Sequence, residues 1–159
     1  MDDERPRGDE AARAFEAAVR ALARKERTLA EMRALLEARG FDPEHVEGTI
    51  ARLVEIGELD DERFAERFAE DKRELRGWGP ERIRAALAER GVPEDAIERA
   101  LAGQGHAEQA ERAARLLRER GQPLTDDRAR SRALDFLARR GYDYEVAYAA
   151  IRIAERGAE

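Results

Sequence analysis

Residues 83–92 read IRAALAERGV, and two further stretches of the chain superpose on them in register. The first is MRALLEARGF at 32–41, and the second is ALDFLARRGY at 133–142. Each copy opens on an apolar residue, has a Leu four positions later, and ends with Gly followed by another apolar residue. The copies begin 51 and 50 residues apart. Recurrence at a spacing near fifty residues is typical of a repeat protein.

Apolar residues around these copies recur with the period of an α-helix, and no stretch alternates for long enough to suggest a strand. The apolar stripes are Phe15, Val19 and Leu22; Val46, Ile50, Leu53 and Val54; Phe64, Phe68 and Leu75; Ile97 and Leu101; and Val146, Ala150 and Ile153. Helix ends are also recognisable. Thr28 and Glu31 are spaced for a capping box, Pro43 and Pro80 suit a first helical position, and Gly40, Gly91 and Gly141 suit a left-handed stop.

The sequence therefore predicts an all-α fold of three tandem three-helix repeats in an elongated, curved array. We expect a disordered tail at 1–10, repeat 1 at 11–57, repeat 2 at 58–103 and repeat 3 at 104–159. The predicted helices are 11–25, 28–39, 43–56, 60–76, 80–90, 93–102, 106–120, 126–140 and 144–156.

Composition limits the class of protein. Of the 159 residues 42% are charged and 6% aromatic, and the formal net charge is −6, which argues against a protein that coats nucleic acid by electrostatics alone. Residues 26–103 hold 13 basic and 20 acidic residues, whereas 104–159 hold 11 and 10. The net charge of repeat 3 is thus the least repulsive to phosphate.

No pattern indicates catalysis, a cofactor or a metal. There is no Cys, no G-x-G-x-x-G and no P-loop, and His45 and His106 fall in different repeats. The pairs Asp60-Asp61 and Asp126-Asp127 open helices, where carboxylates offset exposed N–H groups. The start, MDDERPRGDE, has no apolar core, and no later run approaches the length of a membrane span, so we expect a cytoplasmic protein.

Two basic clusters are candidates for contact with a partner or with DNA. In repeat 2, Trp78 is flanked by Arg73, Arg76, Arg82 and Arg84; in repeat 3, the arginines are Arg128, Arg130, Arg132, Arg139 and Arg140. The alternative is a solvated helix face on which these arginines pair with interleaved carboxylates. Trp78 is either an apolar plug between helices or a platform for a base.

Four segments in order resemble the RecX family of bacterial recombinase regulators. They are LARKERTLAEMRALLEARGF, IGELDDERFAERFAED, RGWGPERIRAALAERGV and DFLARRGYDYEVA, and the likeness covers approximately residues 20–155. Family members consist of three tandem three-helix repeats in an extended arc. The resemblance implies a non-enzymatic protein that binds the RecA recombinase and its filament on single-stranded DNA and inhibits ATP hydrolysis and strand exchange. By the same analogy it modulates recombinational repair and the SOS response, and weak binding to single- or double-stranded DNA stays open.

Two other functions compete with that expectation. One is a module of tandem helix-turn-helix units that binds DNA without a protein partner, which predicts a steep dependence of DNA affinity on salt. The other is a helical adaptor for an unrelated protein. We expect a monomer with no membrane contact.

Overall fold

A computed structural model describes residues 7–158, the side chain of Arg7 excepted, and all regular secondary structure in that range is helical. The helices are α1 (Arg7–Arg24), α2 (Leu29–Ala38), α3 (Pro43–Glu55), α4 (Asp61–Arg76), α5 (Pro80–Glu89), α6 (Glu94–Leu101), α7 (His106–Arg120), α8 (Asp127–Arg140) and α9 (Tyr144–Arg156). None of them combines the length and the apolar character needed to cross a bilayer. The predicted all-α class of three three-helix repeats is confirmed.

Local signals in the sequence position most helix ends. Thr28 and Glu31 form the predicted capping box, in which the Thr hydroxyl accepts from the Glu31 N–H and the carboxylate accepts from the Thr28 N–H. Pro43 and Pro80 begin α3 and α5, where the N–H that proline lacks has no helical partner. Each observed helix overlaps one predicted helix, and every end except the start of α1 agrees with the prediction to within one residue.

The first helix is the exception. Residues 1–6 of the predicted disordered tail lie outside the described residues, but residues 7–10 are helical, so the prediction of disorder there is wrong. Tertiary contacts explain the difference, because Glu10 accepts a hydrogen bond from the Asp42 N–H at 3.3 Å and lies 3.6 Å from the His45 ring. These contacts hold the start of α1 against the start of α3.

Each repeat has its own apolar core, and equivalent positions are buried in all three. Leu36, Leu87 and Leu137 are each fully buried on the middle helix of their repeat. Val46, Ile97 and Val146 are equally buried on the third helices. The most extensive helix-to-helix contacts all lie within one repeat, so the cores are separate rather than continuous. Repeat 1 comprises α1–α3, repeat 2 α4–α6 and repeat 3 α7–α9.

Some residues of the predicted stripes do not reach a core. Val19 and Val54 are exposed, and Leu75 is 78% exposed although it shares a helix face with Phe64 and Phe68. The reason for Leu75 is length: α4 has 16 residues whereas its partner α6 has 8, so the last turn of α4 extends past the core. The helical spacing of apolar residues on one helix does not show where the helix that packs against it ends.

The array is extended. Among residues 7–158 the most extensive helix-to-helix contacts lie within single repeats, so little surface is shared between one repeat and the next.

The first junction joins the start of α2 to the end of α5. The Thr28 hydroxyl donates to the Arg90 carbonyl at 2.8 Å, and the Arg90 guanidinium pairs with Glu31 at 2.9 Å. Ala30 packs so closely on Gly91 that a Cβ added to Gly91 would lie 2.5 Å from the Ala30 Cβ. Repeat 1 therefore rests on the C-terminal glycine cap of the middle helix of repeat 2.

The second junction has the same register one repeat later. The Gly79 N–H donates to the Arg140 carbonyl at 2.7 Å, and the Glu81 N–H donates to the Gly141 carbonyl at 3.0 Å. Gly79 takes the place of Thr28, and Gly141 takes the place of Gly91. The middle helices α2, α5 and α8 thus stack head to tail, an order in which the positive end of each helix dipole meets a negative end.

Candidate interaction surface between repeats 2 and 3

The second junction brings arginines from both predicted clusters together. Arg73 and Arg76 lie in the last turn of α4, and Arg140 closes α8. The Arg140 guanidinium donates to the Arg76 carbonyl at 2.5 Å, and the Tyr142 hydroxyl donates to the Gly77 carbonyl at 3.2 Å. Residues 64 or more positions apart in sequence thereby share one surface.

A groove of about 270 Å³ lies at this junction, and we call it the arginine groove. Its basic lining is Arg73, Arg76, Arg112, Arg115 and Arg140, and its acidic lining is Glu74 and Glu119. Five guanidinium groups thus face two carboxylates, although the whole chain is acidic. The exposed side chain of Leu75 adds an apolar edge.

The arginines of the groove act on one another and on Tyr142. Burial lowers the pKa of Arg73, and the charge of Arg112 lowers it further. Burial raises the pKa of Tyr142, a rise that Arg112, Arg140 and other nearby guanidinium groups oppose. Arginine stays charged at neutral pH despite such shifts, so the groove concentrates positive charge at a partly desolvated place.

Two groove arginines are held in position. Arg112 donates to the Gln104 side chain at 2.8 Å and lies 3.7 Å from Glu74. Arg140 stacks over Phe136 at 5.1 Å from the ring centre while it bonds to the Arg76 carbonyl. Side chains fixed in this way lose less rotamer entropy when a ligand binds.

Sequence reasoning missed Arg112 and Arg115. Both lie on α7, whose sequence HAEQAERAARLLRERG is rich in Ala and Arg, and their spacing of three places them on one helix face. That spacing is the signal that could have found them. Their convergence on Arg73 could not be read from the sequence, because it depends on how repeat 3 docks on repeat 2.

Other predicted site residues have partners inside the chain. Arg84 pairs with Glu94, and Arg130 pairs with Glu155 at 2.6 Å and with Asp127 at 3.1 Å. The hydrogen bond to Glu155 is the main reason that the pKa of Arg130 is raised. These two arginines follow the solvated-face interpretation, in which interleaved carboxylates neutralise them.

Trp78 packs against the core of repeat 2. Its ring meets Phe68 edge to face at 6.3 Å between centroids, and the Arg82 guanidinium lies over it at 4.1 Å. Lys72 also lies 4.9 Å from the ring centre. With its face covered by cations of the same repeat, Trp78 has the environment of an apolar plug rather than of an open stacking platform.

The remaining arginines of α8 are exposed. Arg128, Arg132 and Arg139 lie on one face of the helix at spacings of four and seven residues, and within residues 7–158 none of them takes part in an ion pair. They do not line the arginine groove. Of the ten predicted contact residues, Arg73, Arg76 and Arg140 are thus the ones that the fold gathers there.

One group within residues 7–158 has the chemistry of metal ligands. Oxygen or nitrogen atoms of Glu10, Asp42 and His45 lie within 4.8 Å of one another. The contacts of Glu10 with the Asp42 N–H and the His45 ring already connect α1 to α3, which accounts for the cluster structurally. His45 is partly buried there, whereas His106 is exposed and lies 4.0 Å from Glu145.

Comparison with known proteins supports the division into repeats. The family models for the first, second and third three-helix domains of RecX match residues 14–53, 60–101 and 107–151. The regulatory protein RecX of Mycobacterium sp. (strain JLS) is 33% identical over 162 residues, covering 98% of this chain and 87% of the relative. A regulatory protein RecX of Thermus thermophilus is 39% identical over 142 residues, covering 89% and 92%. The crystal structure of RecX from Lactobacillus salivarius shares the fold, with a TM-score of 0.83, 19% identity, and coverage of 94% of this chain and 99% of that one.

Proposed function

The chain belongs to the RecX family of regulatory proteins, and from this premise we propose that it binds the RecA recombinase and its helical filament on single-stranded DNA. There it inhibits ATP hydrolysis and strand exchange, and so modulates recombinational repair and the SOS response. The observation that carries the proposal is the match of all three domain models, in order, over residues 14–151. The role is regulatory rather than enzymatic.

The extended array suits a partner that is itself a repeating polymer. Three repeats with separate cores and fixed junctions present similar surfaces at regular intervals, so successive repeats can meet successive protomers of a filament. Once one repeat is bound, the others act at high effective concentration, and weak contacts add. Affinity for the filament then exceeds affinity for free recombinase subunits.

Inhibition needs no chemistry from the regulator. A protein that binds one conformation of the filament more tightly than others shifts the population toward it, by an amount set by the difference in affinity. If that conformation hydrolyses ATP slowly, binding alone suppresses turnover. The second junction favours such selectivity, because backbone hydrogen bonds from Gly79 and Glu81 to repeat 3 restrict how repeats 2 and 3 can move against each other.

We assign the arginine groove as the main charged contact with the filament. Five guanidinium groups on a concave surface attract an anionic group, and planar guanidinium forks bind carboxylate or phosphate through paired hydrogen bonds. The exposed Leu75 at its edge supplies apolar contact next to the charge. A neighbouring apolar group strengthens a charged contact by excluding water from it.

The test is a titration of recombinase ATP hydrolysis on single-stranded DNA with this protein. The proposal expects inhibition, and a double variant Arg73→Gln with Arg115→Gln should be a weaker inhibitor than the wild type. Arg152→Gln, an exposed arginine on α9, is the matched control that leaves the groove intact. No inhibition by the wild-type protein at a stoichiometric excess would contradict the proposal.

A second candidate function is direct binding to DNA without a protein partner, and the arginine groove is the observation that favours it. Its test is binding to single-stranded DNA at several salt concentrations with no recombinase present. Each phosphate contact contributes a slope of roughly 0.7 in log affinity against log salt for single strands. A steep slope that the groove variants reduce, together with no effect on recombinase, would favour this function over the first.

A further inference from the structure

The segment at the C-terminal end of α2 in repeat 1 has the same three-residue pattern as the segments at the C-terminal ends of α5 and α8. Those two segments form the first and second junctions. Arg39-Gly40-Phe41 matches Arg90-Gly91-Val92 and Arg140-Gly141-Tyr142, each an arginine, a glycine with positive φ and an apolar residue. The second and third copies each receive the first turn of a helix. The first copy does not: among the described residues, no atom lies within 4 Å of a Cβ built on Gly40.

The two occupied copies define what such a surface binds. A helix enters with its N-terminus, and its cap residue donates to the arginine carbonyl, at 2.8 Å from Thr28 and 2.7 Å from Gly79. A residue of the first helical turn then packs against the glycine. At the first junction a carboxylate three positions after the cap, that of Glu31, also pairs with the arginine.

The glycine matters at both occupied copies because the entering helix leaves no room for a side chain. A Cβ at Gly91 would lie 2.5 Å from Ala30, and a Cβ at Gly141 would overlap the Cβ of Arg82. Gly40 has a φ of +83°, close to the +81° of Gly91. The backbone of the free copy is therefore already in the conformation that the occupied copies use.

A second copy of this chain does not offer the matching helix end. The position equivalent to Thr28 and Gly79, twelve residues before the closing glycine, is Ala129 in repeat 3. It is buried inside α8, which begins one turn earlier with Asp126 as its cap. The extra turn of α8 occupies the place where a third junction would form. The middle helix of repeat 3 therefore cannot dock on a further glycine cap, whereas the glycine cap of repeat 1 can still receive a helix.

We infer that the surface Arg39-Gly40-Phe41, here called the open cap, is the docking site for the N-terminus of an α-helix of the recombinase. The helix it fits has an N–H or hydroxyl donor at its cap and a carboxylate three residues later. The inference rests on the proposed function, since the recombinase is the partner. Docking would continue the head-to-tail order of the middle helices, with the negative end of α2 facing the positive end of the incoming helix.

Gly40→Asn tests the open cap directly. Asn tolerates positive φ better than other side chains, and within residues 7–158 no atom lies within 4 Å of the position its Cβ would take. In a docked complex that Cβ would clash as a Cβ at Gly91 or Gly141 would. We expect the thermal unfolding midpoint to stay close to wild type while the half-inhibitory concentration in the recombinase ATPase assay rises about tenfold, which corresponds to a binding free energy weaker by about 1.4 kcal/mol.

Charge reversal gives a second, independent variant. Arg39→Asp removes the partner that the incoming carboxylate requires, and we expect it too to weaken inhibition about tenfold. Arg156→Asp is the matched control, because Arg156 is likewise an exposed arginine at a helix C-terminus but lies at the end of α9. It should change inhibition by less than about twofold, since a remote surface charge acts only through weak, screened forces.

Three results would overturn the inference. If the wild type inhibits and both open-cap variants inhibit equally well, the open cap is not a docking site, although the proposed function stands. If sedimentation velocity shows that the wild type self-associates and Gly40→Asn does not, the occupant is a second copy. If the wild type neither binds nor inhibits the filament, both proposals fail together.

Discussion

Substituting Gly79 by Ala should open the second junction without straining the backbone. Gly79 has a φ of −83°, which any residue adopts, so the added methyl group carries no conformational penalty of its own. Its Cβ would, however, lie 2.5 Å from the Gly141 carbonyl oxygen and 2.8 Å from the Tyr142 nitrogen. Both are backbone atoms, which cannot rotate aside, so the two repeats must separate.

The cost follows from the contacts that separation weakens. The two backbone hydrogen bonds from Gly79 and Glu81 to repeat 3 contribute about 1 kcal/mol each. Overpacking that is only partly relieved adds about 1–3 kcal/mol. We therefore expect Gly79→Ala to lower the free energy of unfolding by about 3–5 kcal/mol, the sum of the two lost hydrogen bonds and the overpacking that remains.

Gly48→Ala is the matched control. Gly48 lies inside α3, and in the described part of the chain nothing lies within 4 Å of an added Cβ. The same chemical change there should stabilise the protein by about 0.5–1 kcal/mol, because Ala is the better helix former.

Urea unfolding followed by circular dichroism measures both variants, and small-angle scattering reports whether the radius of gyration of Gly79→Ala increases. In the ATPase assay Gly79→Ala should lose more inhibition than Arg132→Ala, which changes one exposed arginine. The reasoning is refuted if Gly79→Ala unfolds within about 0.5 kcal/mol of wild type, the range of an ordinary surface substitution.

Three further predictions concern the junctions and the groove. Thr28→Ala should destabilise the protein by about 1–2 kcal/mol in urea unfolding, because it removes both the helix cap and the bond to Arg90, while Thr28→Ser should retain most of that stability. Burial raises the pKa of Glu31, but the hydrogen bonds from Arg90 and the Thr28 N–H, together with the charges of Arg90 and Lys25, outweigh it and leave that pKa below its ordinary 4.5. The ionised Glu31 carboxylate therefore stabilises the fold above pH 4.5. The thermal unfolding midpoint of wild type should exceed that of Arg90→Gln there, and the difference should shrink as pH falls through the folded-state pKa of Glu31. A difference that does not depend on pH would contradict this. Arg115→Glu should weaken binding to the filament, measured by fluorescence anisotropy, more at low salt than at high salt, whereas an equal effect at all salt concentrations would point to a structural cause.

Much of the fold was predictable because its signals are local. The capping box of Thr28 and Glu31, the prolines that begin α3 and α5, and the glycines at 40, 91 and 141 each act through atoms a few residues apart. Their recurrence near every fifty residues also indicated three repeats. Arg84 and Arg130 were among the candidate contact residues, but in the structure both pair with carboxylates. Such pairing was the alternative predicted from the sequence, because acidic residues are interleaved with the arginines.

The candidate surface was only partly predictable. Arg73, Arg76 and Arg140 were named from their clusters, but Arg112 and Arg115 were not, because the apolar stripe of α7 is weak and its Arg residues are dispersed along the helix. The start of α1 was mistaken for a tail, since its stabilising contacts, Asp42 and His45, lie more than thirty residues further along.

The amino-acid sequence by itself determined the helices, their ends and the threefold repetition, since these depend on backbone conformation and on side chains within one or two turns. Only the tertiary structure decided which helix ends meet, which arginines converge, and that among residues 7–158 nothing docks on the glycine after the middle helix of repeat 1, Gly40. Those outcomes depend on how one repeat docks on the next. The docking is set by close approaches at Gly79, Gly91 and Gly141 between segments some sixty residues apart, and no local pattern records that geometry.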